Sequence, residues 1–227
     1  MTGDEALLAG LQLADSFLPV GTYSSSYALE QFVADERVAD GDDLVPLLES
    51  YLERQVGPCE LVALRAAHAG AAAGEVDAVL TADQRLHATT LPAEFRESAT
   101  RAGKQLRDLW RRTRDETPLL DDYAARDPPS QYPAVLGAVA ATADLDARRA
   151  CLVHGYGFCS AMLAAAQRLC SLGHTRAQTC LEVLKPAIVA AVDTSAGRDL
   201  SEMTTFAPEI EIRAAAHERA TRRLFVS

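Results

Sequence analysis

The chain has 227 residues, 48% hydrophobic and 24% charged, enough for one domain with a substantial core. Thirty-two acidic residues stand against 22 basic ones, and the excess lies at the start, where positions 1–60 hold twelve Asp and Glu against Arg37 and Arg54. Phosphate neutralisation needs a stripe of Lys and Arg, so this acidic quarter excludes a nucleic-acid or anionic-membrane surface there and suits a basic protein partner or simple solubility.

In chain order, Leu7, Leu8, Leu11 and Leu13 begin a first helix in MTGDEALLAGLQLADSF, whose acidic leader does not read as a secretory signal. A Pro-Gly turn follows, and residues 24–38 read as a second helix with Ser24 or Ser25 as its cap. Asp42 and Asp43 supply cap chemistry for a third, with Pro46 tolerated in the first turn. Further helices are expected at 58–73, 75–87 and 92–114, before the Asp127-Pro128-Pro129-Ser130 break. Helices then span 132–143, 144–172 and 175–192, residues 195–207 read as a mobile loop, and a last helix covers 208–222.

The segment 144–172 carries an apolar stripe at Leu152, Tyr156, Cys159, Leu163, Ala166 and Cys170. With Gly155, Gly157 and many alanines around it, it reads as the central helix of a bundle. Its weakly charged part is interrupted by His154 and Gln167 and falls short of the ~20 apolar residues of a membrane span. No alternating strand pattern is present, so the expected fold is all-α: a single-domain bundle of roughly ten helices over residues 1–227.

Chemical motifs are mostly absent. Neither lysine, Lys104 or Lys185, sits in GxxxxGK[ST], so the chain lacks a P-loop. His217-Glu218 opens like HExxH but lacks the second His and reads as a solvated helix face, and no GxSxG accompanies Ser24, Ser25 and Ser26. Five cysteines without a CxxC pair read as reduced thiols in a cytoplasm. Cys151, His154 and Cys159, spaced along one helix, could ligate nickel or zinc or simply fill the core; His174 reads as a helix-boundary residue. Arg96, Glu97 and Arg101 open a basic run at helical spacing that is either a solvated face, with Glu97 and Arg101 paired, or a docking face for an acidic partner.

Five segments in order are similar to one family: LADSFLPVGTYSSSYALEQF (13–32), FRESATRAGKQL (95–106), QYPAVLGAVA (131–140), AAAQRLCSLGHTRAQ (164–178) and FAPEIEIRAAAHERATRRLFVS (206–227). Together they resemble the UreF-type urease accessory proteins over almost the whole chain. The departures are Thr22 in a usual Gly-Gly-Phe/Tyr, Ala28 where Gly precedes Leu-Glu, and His174 in a usual Leu-Gly-Gln.

The resemblance implies a non-catalytic, cofactor-free homodimer that binds a UreD/UreH-type protein, recruits the GTPase UreG and serves nickel delivery to apo-urease. It implies that a segment of about 206–227 docks on a partner through Arg222, Arg223, Leu224 and Phe225, Arg223 helping to recruit UreG. Phe17, Pro19, Gly21 and Tyr23 are expected to stiffen the first turn and present a second part of the partner surface. Two alternatives remain: a nickel-carrying metallochaperone using Cys151, His154, Cys159 or His174, and a GTPase-activating protein for UreG supplying an arginine finger.

Overall fold

Two prolines fall inside the longest helical rod of the protein. A computed structural model describes residues 2–21, 25–219 and 224–225. In it, α3 (Gly41–Tyr51) runs through a π-helical stretch, Leu52–Glu60, into α4 (Leu61–Ala72) without a break. Residues expected to start a new helix at Pro58 therefore continue an old one.

Pro58 has no N–H and its ring would collide with the carbonyl four residues back, so the chain widens to five-residue hydrogen bonding, as in Leu61 N–H to Val56 O. The carbonyls this releases are taken from outside: Arg54 O accepts the Phe206 N–H at 3.4 Å, and Pro58 O accepts that of Thr204 at 3.2 Å. That docking corrects the reading of 195–207 as a mobile loop. The preceding helix extends to Ser195, a short 3₁₀ turn (Leu200–Glu202) carries its own capping box from Asp199, and the remainder is hydrogen-bonded to the π stretch.

Two readings at the start of this rod are also corrected. Pro46 is the sixth residue of α3, not part of its first turn, and the cap is Asp40, whose carboxylate accepts the N–H groups of Asp42 (2.8 Å) and Asp43 (3.4 Å). The earlier start follows from Gly41, where an added Cβ would lie 2.8 Å from Cys180 Sγ, so the rod can press against its neighbour at that point.

The other helices are α1 (Gly3–Ala14), α2 (Leu29–Ala34), α5 (Val76–Thr89), α6 (Ala93–Arg112), α7 (Pro118–Ala125), α8 (Tyr132–Thr142), α9 (Ala147–Leu169), α10 (His174–Ser195) and α11 (Pro208–His217). With α3 and α4 fused, the described residues form ten separate rods and no strand, the all-α bundle expected. α4 packs against α5, α8 and α9; α6 also packs against α8, and α10 against α9, α3 and the π stretch.

The most enclosed helix is α8, with residues 133–140 all buried, whereas α9, expected at the centre, keeps a solvent side at Tyr156. Its buried face runs through Cys151, Phe158, Cys159, Met162, Leu163 and Ala166. Gly137 lets α8 reach α4, since a Cβ there would sit 2.2 Å from Leu64 O. Gly103 does the same for α6 against the 128–131 segment.

α2 is much shorter than 24–38. Tyr27 and Ala28 adopt left-handed φ values of 48° and 64°, which stop a helix from entering before Leu29, and Glu36 at 55° follows its end. The Tyr27 ring makes edge contacts with Phe95 and Phe158, and its carbonyl accepts the Tyr51 hydroxyl, which together hold the turn. Among the described residues no serine side chain caps α2: Ser25 is buried and bonds Ser98 of α6, while Ser24 lies outside the described residues.

Candidate functional site

At the end of α1 the chain alternates direction. Asp15 Oδ1 accepts the Phe17 N–H at 2.9 Å and Asp15 O accepts that of Leu18 at 3.0 Å, a tight turn that sends Leu18 and Val20 into the core and leaves Phe17 89% exposed. Pro19 restricts φ between them, and Gly21 sits at φ 79°, a conformation glycine adopts freely. Tyr23 lies outside the described residues.

The adjoining helix extends this outward apolar surface. α1 turns Ala6, Ala9, Gly10 and Leu13 inward, where it packs on α9, and leaves Leu7, Leu8 and Leu11 between 56% and 63% exposed. Four large apolar side chains thus project from one N-terminal segment, and such patches on a folded surface mark interaction sites. Their spacing marks Leu7, Leu8 and Leu11 as helix-forming residues and carries no signal of this exposure.

Residues 224 and 225 lie against the bundle. Phe225 is 5% exposed, with the Arg168 guanidinium 4.3 Å from its ring centroid, while Leu224 is 72% exposed. The backbone N–H of Leu224 donates to both oxygens of Glu30 on α2, at 2.8 and 3.1 Å, and that of Phe225 to Glu30 Oε2 at 3.2 Å. His217 Nε2 lies 3.3 Å from the same carboxylate and Nδ1 2.7 Å from Glu94 of α6. Glu218 accepts the Ala93 N–H at 3.0 Å, at the start of α6. His217-Glu218 is therefore no solvated face: His217 is buried and Glu218 supports a neighbouring helix. Arg222 and Arg223 lie outside the described residues.

The basic run on α6 is largely absorbed by structure. Arg96 donates to Thr90 O (2.8 Å) and Leu91 O (2.6 Å), closing the turn from α5, and Arg107 and Arg111 bond Ser130 and Asp121. Glu97 and Arg101 are exposed, and among the described residues no ion pair joins them.

The candidate metal ligands are not brought together as a set. Burial pushes the Cys151 thiol up to about 11 and the Cys159 thiol up to about 12, so both are protonated in neutral solution. His154 bonds Glu60 at 2.7 Å and His174 bonds Gln167 at 2.9 Å. Among the described residues no group of three or more His, Cys, Asp or Glu is arranged to hold a metal ion. No helix among them is long and apolar enough to cross a membrane.

A family model described as UreF matches residues 38–185. The urease accessory protein UreF of Trichodesmium erythraeum is 32% identical over 224 residues, covering 97% of this chain and 96% of its own. That of Marinobacter nauticus is 30% identical over 225 residues (99% and 96%), and that of Yersinia enterocolitica 29% over 226 residues (96% and 97%).

Proposed function

The chain belongs to the UreF family of urease accessory proteins and so takes part in urease maturation, and on that premise we propose that it acts as a non-catalytic scaffold. It joins a UreD/UreH-type protein to the GTPase UreG, as a homodimer in the cytoplasm, so that nickel reaches apo-urease. The nucleotide chemistry belongs to UreG, in keeping with a sequence that carries no P-loop.

The observation that carries this reading is the N-terminal apolar surface. Leu7, Leu8, Leu11 and Phe17 stay mostly in solvent although α1 turns its smaller residues Ala6, Ala9 and Gly10 inward. Covering a large apolar side chain is worth about 1.5–3 kcal/mol, so a partner seated on these four gains on the order of 5 kcal/mol after allowing for their partial exposure. Arg101 adds an exposed cation on another helix, and the C-terminal segment offers Leu224.

The test is capture of a UreD/UreH-type partner by the full chain and by a Leu8→Asp/Leu11→Asp variant. Both substitutions are on exposed positions, so helicity and melting stay as in the parent while partner capture is lost. Undiminished capture by the variant would remove α1 from the docking surface and the main support from the scaffold reading.

A further inference from the structure

Chain ends usually fray, because nothing holds their backbone N–H groups. Here two helices hold residues 224 and 225: α2 supplies the Glu30 carboxylate to their N–H groups and α9 the Arg168 guanidinium over Phe225, while the His217 ring of α11 bridges Glu30 to Glu94 of α6. Among the described residues Glu30 accepts the two tail N–H groups and lies 3.3 Å from His217 Nε2. The His217 ring lies between two carboxylates, 3.3 Å from Glu30 and 2.7 Å from Glu94, so it fixes where the Glu30 side chain sits.

We propose that Glu30, oriented by His217, is a clamp that holds residues 224 and 225 in one pose, with Phe225 locked inward and Leu224 directed outward as an apolar contact for the UreD/UreH-type partner. The polarity of the arrangement supports this. A carboxylate spent on two main-chain N–H groups reads no side chain of the tail; it reads its path, and path is what decides which of two adjacent apolar residues faces out. Leu224 and Phe225 are both large and apolar, yet one is mostly exposed and the other almost wholly buried. Glu30 and His217 are thus positioning residues, acting through the tail without needing to touch the partner. The inference rests on the reading of the tail as a docking element.

The test uses the full-length chain in two stages. First, amide hydrogen exchange at the last residues is compared among the parent, Glu30→Ala and the milder Glu30→Gln, which keeps an acceptor oxygen without the charge. Charge-assisted bonds of this kind correspond to about tenfold or more in protection. The expected result is a tenfold or greater acceleration confined to the tail in Glu30→Ala, an intermediate rate in Glu30→Gln, and unchanged protection in α4 and α8. Equal tail exchange in parent and variants overturns the clamp. Should Glu30→Ala fail to fold, Glu30→Gln decides by the same criterion.

Second, capture of a purified UreD/UreH-type protein is measured with the same variants. Faster tail exchange with weakened capture, partly restored in Glu30→Gln, supports the whole inference. Faster exchange with unchanged capture leaves the clamp standing and refutes the tail as a docking element. Weakened capture without a change in exchange refutes the clamp and leaves the docking reading intact.

Discussion

Two glycine-to-alanine changes, chemically identical, should move stability in opposite directions. Gly103 lies in the middle of α6, where Ala is intrinsically preferred over Gly by about 1 kcal/mol. A Cβ at this position would nevertheless sit 1.9 Å from Ser130 O and 2.9 Å from Tyr132 N, both main-chain atoms that cannot rotate away. Relief needs about 1.5 Å of separation between α6 and the 128–131 segment, which overpacking data place at 1–3 kcal/mol. That segment is tied down by the buried Asp83 carboxylate, which accepts the N–H groups of Ser130 (2.8 Å) and Gln131 (2.6 Å). Straining those charge-assisted bonds adds more, and the net loss for Gly103→Ala is expected to be about 4 kcal/mol.

Gly157 on α9 has nothing within 4 Å of its missing Cβ, so Gly157→Ala should leave stability unchanged or raise it by about 0.5–1 kcal/mol. Urea titration followed by the single tryptophan, Trp110, which is buried on α6, measures both. Comparable losses in the two variants, or an unchanged midpoint for Gly103→Ala, would refute the close-approach argument.

Asp83→Ala removes the acceptor of Ser130, Gln131 and the Tyr123 hydroxyl (2.8 Å) at once, and should destabilise by about 3–5 kcal/mol in the same titration. Burial pushes the thiols of Cys59, Cys151 and Cys159 up to about 12, 11 and 12, so at pH 8 an alkylating reagent should label the partly exposed Cys170 first and these three only on unfolding. The same shift has a stability consequence. The unfolded thiols ionise above about pH 9 while the folded ones ionise later, so stability should fall as pH rises from about 9 to 11, by up to about 1.4 kcal/mol per thiol per pH unit, with the Cys151 contribution levelling off first. A flat stability profile over that range would contradict it.

Helical periodicity was enough for the fold class, because three- and four-residue apolar spacing persists almost throughout. The boundaries were harder where backbone geometry overrode pattern. Left-handed Tyr27 and Ala28 are held by aromatic contacts and by Tyr51, residues distant in sequence, so nothing local signals that α2 starts at Leu29. Pro58 reads locally as a helix start, and only the loop at 204–206, which takes up the released carbonyls, makes a π stretch affordable there. α7 went unrecognised because two turns in a charged stretch show little periodicity; Thr117-Pro118, with proline at its first position, was the available signal.

The site was legible in part. The motif residues of 95–106 and 131–140 prove largely structural: Ser98 meets Ser25, Gly103 meets Ser130, and Gly137 meets Leu64. The outward leucines of α1 could not be told from core leucines by spacing alone. Glu30 and His217 are 187 positions apart, and their only trace in the sequence was membership in the Leu-Glu and His-Glu segments that resembled the family.

The most direct test of the scaffold account is co-purification of the chain with UreD/UreH-type and UreG proteins, comparing full length with a truncation ending at Ala220. The account expects a three-protein complex with the full chain, and its loss on truncation while the circular dichroism and melting of the bundle persist. A complete complex with the truncated chain, or none with the full one, would contradict it.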